Sequence, residues 1–220
     1  MPDTPPSHDD TVGSAVEAVA RKRPKPGERR VQILQALAAM LEQPGGERIT
    51  TASLAARLEV SEAALYRHFA SKAQMFEGLI DFIETSVFSL VQQITDRAAD
   101  AADTGEVGAR QAAQIATVLV QFAEKNPGMA RVMVGDALVL EHERLQQRVN
   151  QLFDKVEAAL RQCLRDSPAV QASATPTVEA QVRAAAVTAF VAGRLQRYAR
   201  SGFRRLPSEQ LEPALRLMLG

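Results

Sequence analysis

Beyond residue 27 the apolar positions of this chain recur at threes and fours, the spacing of amphipathic helices. Val31, Leu34, Leu37, Ala38 and Leu41 mark a first helix, which the Pro and two Gly of "EQPGGE" stop. A short second helix is predicted from about Thr51 to Leu58, with Thr50 or Thr51 as its N-cap. A third starts at Ser61, another capping residue, and ends near Phe69. The fourth opens on "SKAQ", with Ser71 at the N-cap and Gln74 at N3 of a capping box, and covers about 72–97. Its apolar residues, from Met75 through Phe82 and Leu90 to Ile94, occupy more than one face, so neighbours are expected on two sides.

The pattern breaks at "ADAADTGEVG", resumes as a helix over 109–125 until "NPG", and continues in a short helix to about Gly135. One long helix is expected over 138–165, where Leu145, Val149, Leu152, Val156, Ala159 and Cys163 form a coiled-coil-like seam. "DSPAVQASATP" reads as a loop. An Ala-rich helix over 178–201 and a last one over about 208–219 complete an all-α chain without strands.

Composition supports that class: helix formers dominate and Trp is absent. A single cysteine, Cys163, excludes an internal disulfide and fits a reducing cytosol. No apolar run approaches the roughly 20 residues that span a bilayer, and "MPDTPPSHDD" lacks the regions of a signal peptide, so a cytoplasmic protein is expected. Residues 1–27, rich in Pro, Asp and Ser and without periodicity, read as a disordered leader. The formal charge of zero hides a segregation: residues 1–20 carry four acids and no Lys or Arg, whereas 21–72 carry ten Lys or Arg against five acids.

Within that basic block the second and third helices, joined by "RLEVS", form a helix-turn-helix candidate. Ala55 is small where the two helices cross, and Val60 and Leu65 are apolar where they pack. Glu59 stands at the turn where Gly is usual, and a left-handed backbone there costs about 1 kcal/mol. A recognition helix enters the major groove amino end first, so bulk in its first turn would hold it away. Ser61, Glu62, Ala63 and Ala64 keep that end thin, and Tyr66, Arg67, His68 and Lys72 follow with donors for phosphates. Arg48, Thr50 and Thr51, at the entry to the second helix, complete the candidate DNA contacts. Few of these can read bases, so water, methyl groups and DNA shape are expected to share in specificity.

The stretch "ITTASLAARLEVSEAALYRHFASKAQMFEGLI" resembles the DNA-binding domain of the TetR family. Through "FIE" and "NPGMARVMVGDALVLEHERLQQRVNQLF" the resemblance narrows to the nucleoid occlusion factors of that family. It implies a TetR-like fold, with a DNA-binding domain over 28–72 and a dimerisation and partner-binding domain over 73–220. It also implies a nucleoid-associated homodimer that binds chromosomal palindromes, with more than one dimer per site left open. Bound there, it antagonises the division protein FtsZ and prevents septa over the nucleoid. By resemblance, FtsZ's tail lies between the fourth and fifth helices, which carries over to Phe82, Val118, Lys125 and Asn126 in character, with departures at Leu90 and Gln121. The alternative is a TetR repressor released by a small apolar ligand in its carboxy-terminal core.

The dimer is expected through the last long helices, where Ala185, Ala189, Ala192 and Gly193 allow close approach, with the 145–163 seam as the next candidate. His8, His68 and His142 share no ligand spacing, "EHER" lacks the second His of a metalloprotease helix, and no phosphate loop is evident. No enzyme, metal site or cofactor is therefore expected. Arg194, Arg197, Arg200, Arg204 and Arg205 crowd one helix end and loop, a distribution that usually compensates the helix dipole and is solvated, with an acidic partner as the alternative.

Overall fold

The computed structural model describes residues 27–43, 49–99 and 107–220. The expected leader and Arg48 lie outside the described residues, Gly27 excepted. Ten α-helices follow one another, and no strand occurs among the described residues: α1 (Glu28–Leu41), α2 (Thr51–Arg57), α3 (Glu62–Tyr66), α4 (Lys72–Ala99), α5 (Val107–Lys125), α6 (Pro127–Met133), α7 (Glu143–Arg165), α8 (Pro168–Gln171), α9 (Pro176–Arg200) and α10 (Leu211–Leu219). A 3₁₀ turn, Asp136–Leu138, joins α6 to the segment before α7.

The buried stripe of α1, Ile33, Leu37 and Leu41, packs with Leu54 and Ala55 of α2, Leu65 of α3 and Phe69 into the core of the amino-terminal three-helix unit. Helix α4 is buried on more than one side, as its pattern predicts: Met75, Phe76, Leu79, Ile80, Ile83 and Val87 are each at most 1 % exposed. It packs on α1 at one end and on α5 and α7 along its length. Ion pairs run down the α4–α7 seam: Arg144 meets Glu77 at 2.8 Å, and Arg148 meets Asp81 at 2.9 Å and Glu84 at 2.6 Å. Burial works against the Arg148 cation, but its hydrogen bond to Asp81 and the two carboxylate charges outweigh that and raise its pKa.

Two glycines mark where helices approach closely. A Cβ at Gly128 would stand 2.2 Å from the Ala38 carbonyl oxygen, which brings α6 against α1. A Cβ at Gly108 would stand 2.2 Å from the Cys163 carbonyl oxygen, which seats α5 on α7. The same packing buries Cys163, and desolvation pushes its thiol up to about 11, so it is inert rather than a nucleophile.

Four boundaries differ from the periodicity reading. The helix expected over 138–165 begins only at Glu143: Gly135 takes the left-handed conformation and the His142 ring accepts from the Arg144 N–H, so the chain turns first. The loop expected over 166–176 contains α8, started by Pro168 at N1. The last helix starts at Leu211 rather than near Ser208, behind Gln210 in the left-handed region. Helix α3 stops at Tyr66 instead of Phe69. There Arg30 of α1 donates to the His68 carbonyl at 2.8 Å and stacks over the Phe69 ring at 4.1 Å. That capping satisfies a carbonyl that a longer helix would have bonded internally.

Candidate nucleic-acid interface and partner groove

The helix-turn-helix is held by polar contacts that leave its outer face free. Thr50, not Thr51, is the N-cap of α2: its hydroxyl accepts from the Ser53 N–H at 3.0 Å, and the Ser53 hydroxyl accepts from the Thr50 N–H at 3.1 Å. Thr51 instead donates to the Glu62 carboxylate, tying the first turn of α2 to that of α3. Ser61 caps α3 by accepting from the Ala64 N–H at 3.3 Å. Glu59 has φ 54°, the left-handed turn that its position requires. Ser71 caps α4 as expected, but Gln74 reaches back to the Ala70 N–H rather than to that of Ser71.

Most of the candidate DNA contacts gather on one exposed surface. Ser61, Glu62, Ala63, Arg67 and His68 are exposed, Tyr66 is 46 % exposed, and Ala64 is half-buried against the unit. Leu65 and Phe69, the inward positions, are at most 1 % exposed. Thr50 is exposed and Thr51 half-buried at the amino end of α2. Lys72 stands apart from the other cations. Its ammonium pairs with Glu141, from the segment before α7, and lies 5.7 Å from the Phe76 ring centroid. Arg30, in the basic block, is occupied by its capping role.

A second surface lies along α4 and α5. Phe82 is 48 % exposed and Leu90 38 %, on a helix whose other large apolar residues are mostly buried, so Phe82 is not a core residue. The Phe82 ring meets that of Phe122, centroids 6.3 Å apart, which seats it at the α4–α5 boundary. Across from it Val118 is half-buried and Gln121 and Lys125 are exposed. Asn126 is less free: its side-chain amide donates to the Phe122 carbonyl at 2.8 Å and so ends α5.

The expected dimer surface divides. Ala189 and Gly193 are exposed on α9, whereas Ala185 and Ala192 are half-buried. Exposed apolar residues extend the same face, Val178 and Val182 each at 58 %, and α10 adds Leu217 at 89 %. The periodicity reading passed over these three because an exposed Val or Leu has the same sequence spacing as a buried one. The 145–163 seam packs on α9, α5 and α4 of the same chain, with Leu145, Val149, Leu152 and Val156 at most 2 % exposed, so it is not free to pair with a second copy.

Residues 33–79 match the family model for bacterial regulatory proteins of the tetR family, and 109–219 match a SlmA-like model, the tetracyclin repressor-like C-terminal domain. The chain is 48 % identical to the nucleoid occlusion factor SlmA of Photobacterium profundum, over 84 % of this chain and 90 % of the relative. It is 47 % identical to that of Vibrio vulnificus, over 86 % and 92 %. Among solved structures, a TetR-family regulator from Bordetella parapertussis superposes with a TM-score of 0.66 at 18 % identity, covering 88 % of this chain and 95 % of the other. The fatty acid degradation regulator FadR of Bacillus halodurans superposes with a TM-score of 0.64 at 15 % identity, covering 90 % and 97 %. These two share the fold. The relatives share nearly half of their residues as well, and the chain belongs to the SlmA nucleoid occlusion factors, DNA-binding regulators of the TetR family.

Proposed function

We propose that this chain works as a cytoplasmic, nucleoid-associated homodimer that sits on chromosomal palindromes through α2 and α3 and antagonises FtsZ through the α4–α5 groove. In this reading residues 28–72 form the DNA-binding domain and 73–220 the dimerisation and partner domain. One observation carries the partner assignment: α4 leaves Phe82 and Leu90 exposed beside Val118, Gln121 and the Lys125 cation. An apolar floor with a cation at one end suits an extended peptide that carries both apolar and acidic residues. The thin amino end of α3, with Tyr66, Arg67 and His68 behind it, supports entry into the major groove. Dimerisation is assigned to the exposed apolar face of α9 and α10.

A ligand-released repressor needs an enclosed, roomy pocket in the carboxy-terminal core. The space among α5, α7 and α9 is filled instead by Ile115, Leu119, Leu152, Val156, Val187 and Val191, each at most 2 % exposed. The cleft of about 640 Å³ between α5 and α10 opens to solvent. The test is a paired titration of Phe82→Ala combined with Lys125→Glu. DNA affinity, read by anisotropy, should stay within about twofold, and affinity for an FtsZ tail peptide should fall about tenfold or more. Circular dichroism checks that the fold is unchanged. A folded double variant that binds the tail normally would remove the groove assignment and restore weight to the repressor.

A further inference from the structure

Lys72 is the first residue of α4, where the chain leaves the helix-turn-helix. A cation at a helix amino end meets the positive end of the helix dipole, which favours an anion there. The first turn of α4 supplies no acidic residue of its own. The anion comes from far along the chain: the Glu141 carboxylate pairs with the Lys72 ammonium, with the two side chains 12 % and 30 % exposed. Glu141 belongs to a short connection whose other prominent side chains, Val139 and Leu140, are 77 % and 62 % exposed. The Glu141 backbone N–H returns only to Leu138, and the neighbouring His142 serves as the N-cap of α7. The Lys72–Glu141 pair thus joins this connection to the start of α4.

We propose that Glu141 occupies, in the DNA-free protein, the place that a DNA phosphate takes at Lys72, and so acts as an intramolecular competitor that lowers affinity for DNA. The inference rests on the reading of α3 and Lys72 as the DNA face. Both anions would use the same ammonium. A phosphate must therefore displace a carboxylate already in contact, and the net gain from Lys72 is the difference between the two pairs. The device makes binding demanding: a weakly held duplex does not repay loss of the internal pair, whereas a duplex seated by the whole of α2 and α3 does. It also couples DNA to the second domain, because displacement removes one tie between α4 and the segment that leads into α7, whose ion pairs with Glu77, Asp81 and Glu84 line α4.

The experiment is a double-mutant cycle on the full chain, with Glu141→Gln, Lys72→Gln and the pair. It reads the affinity for a fluorescent duplex that the wild type has selected from a random pool. Glu143→Gln, which removes an exposed acid two residues away, controls for the general loss of negative charge. Glu141→Gln should bind about three- to tenfold tighter than the Glu143→Gln control, and the gain should vanish when Lys72 is also Gln. Misfolding cannot produce a gain of that kind. Equal affinities for Glu141→Gln and Glu143→Gln would overturn the competition, as would a gain that survives in the Lys72→Gln background. Weaker binding by Glu141→Gln would overturn it too, and would make Glu141 a residue that aims Lys72 at the phosphate. A wild-type chain that selects no duplex at all would instead remove the reading of α3 as the DNA face.

Discussion

Single residues in this molecule hold geometry that no periodicity contains. Glu59 carries φ 54° in the turn between α2 and α3, a conformation that Asn and Gly tolerate and β-branched residues resist. Glu59→Asn should leave stability unchanged or improve it, whereas Glu59→Val should lower it by about 1–2 kcal/mol, read as a shift in the urea midpoint. Matching midpoints for the two variants would mean that this turn stores no strain. Arg30 shows the converse, a cation in a basic block that serves the fold. Its guanidinium caps the end of α3 and covers Phe69. Counting charges could not separate it from Arg67, since both side chains are exposed and only their contacts differ.

At the scale of the element, α3 runs only from Glu62 to Tyr66, and its proposed role in DNA binding rests on what it lacks. Ala63 is exposed at its amino end and Ala64 half-buried behind it. Ala63→Leu should leave the thermal midpoint within a few degrees, because nothing in the chain packs over an exposed position. It should weaken binding to all duplexes by about tenfold, because the added bulk keeps the helix out of the groove. A Leu variant that binds as the wild type does would mean that another element enters the DNA. Helix α7 carries the lesson about boundaries. Its seam was legible from Leu145 to Cys163, but its start was not, since Gly135, the 3₁₀ turn and the His142 cap all fall within a stretch of helical composition.

The whole molecule is organised around α4, which leaves the DNA-binding unit at Lys72, packs on α5 and α7, and exposes Phe82 and Leu90 between its buried faces. The proposed partner surface on α4 and α5 and the proposed dimer surface on α9 and α10 are different faces, so each can be changed alone. Gly193 supplies the means, because a Cβ there would meet nothing within 4 Å among the described residues. A glycine inside a helix costs about 1 kcal/mol relative to Ala, and no neighbour among the described residues accounts for it. Gly193→Leu should therefore leave the folded chain intact and raise the dimer dissociation constant about tenfold or more, read by sedimentation at low concentration, and it should weaken palindrome binding with it. A variant that remains dimeric would move the interface off this part of α9.

Sequence alone determined the helical class, the order of the main helices, the turn at Glu59 and the thin recognition helix. Each follows from local spacing, capping chemistry or steric size within a few residues, and such preferences act before distant segments meet. The TetR resemblance was legible for the same reason, since its motif is contiguous. Tertiary structure alone decided which apolar residues stay outside. Phe82 and Ile83 are neighbours of similar hydrophobicity on one helix, yet one is half exposed and the other buried, because burial depends on where α5 and α7 lie. It likewise decided that Lys72 faces Glu141, and that Arg30 caps α3 instead of standing free. A charge's partner is set by proximity in space, and across the 69 residues between Lys72 and Glu141 only the packing of α4 and α7 supplies it.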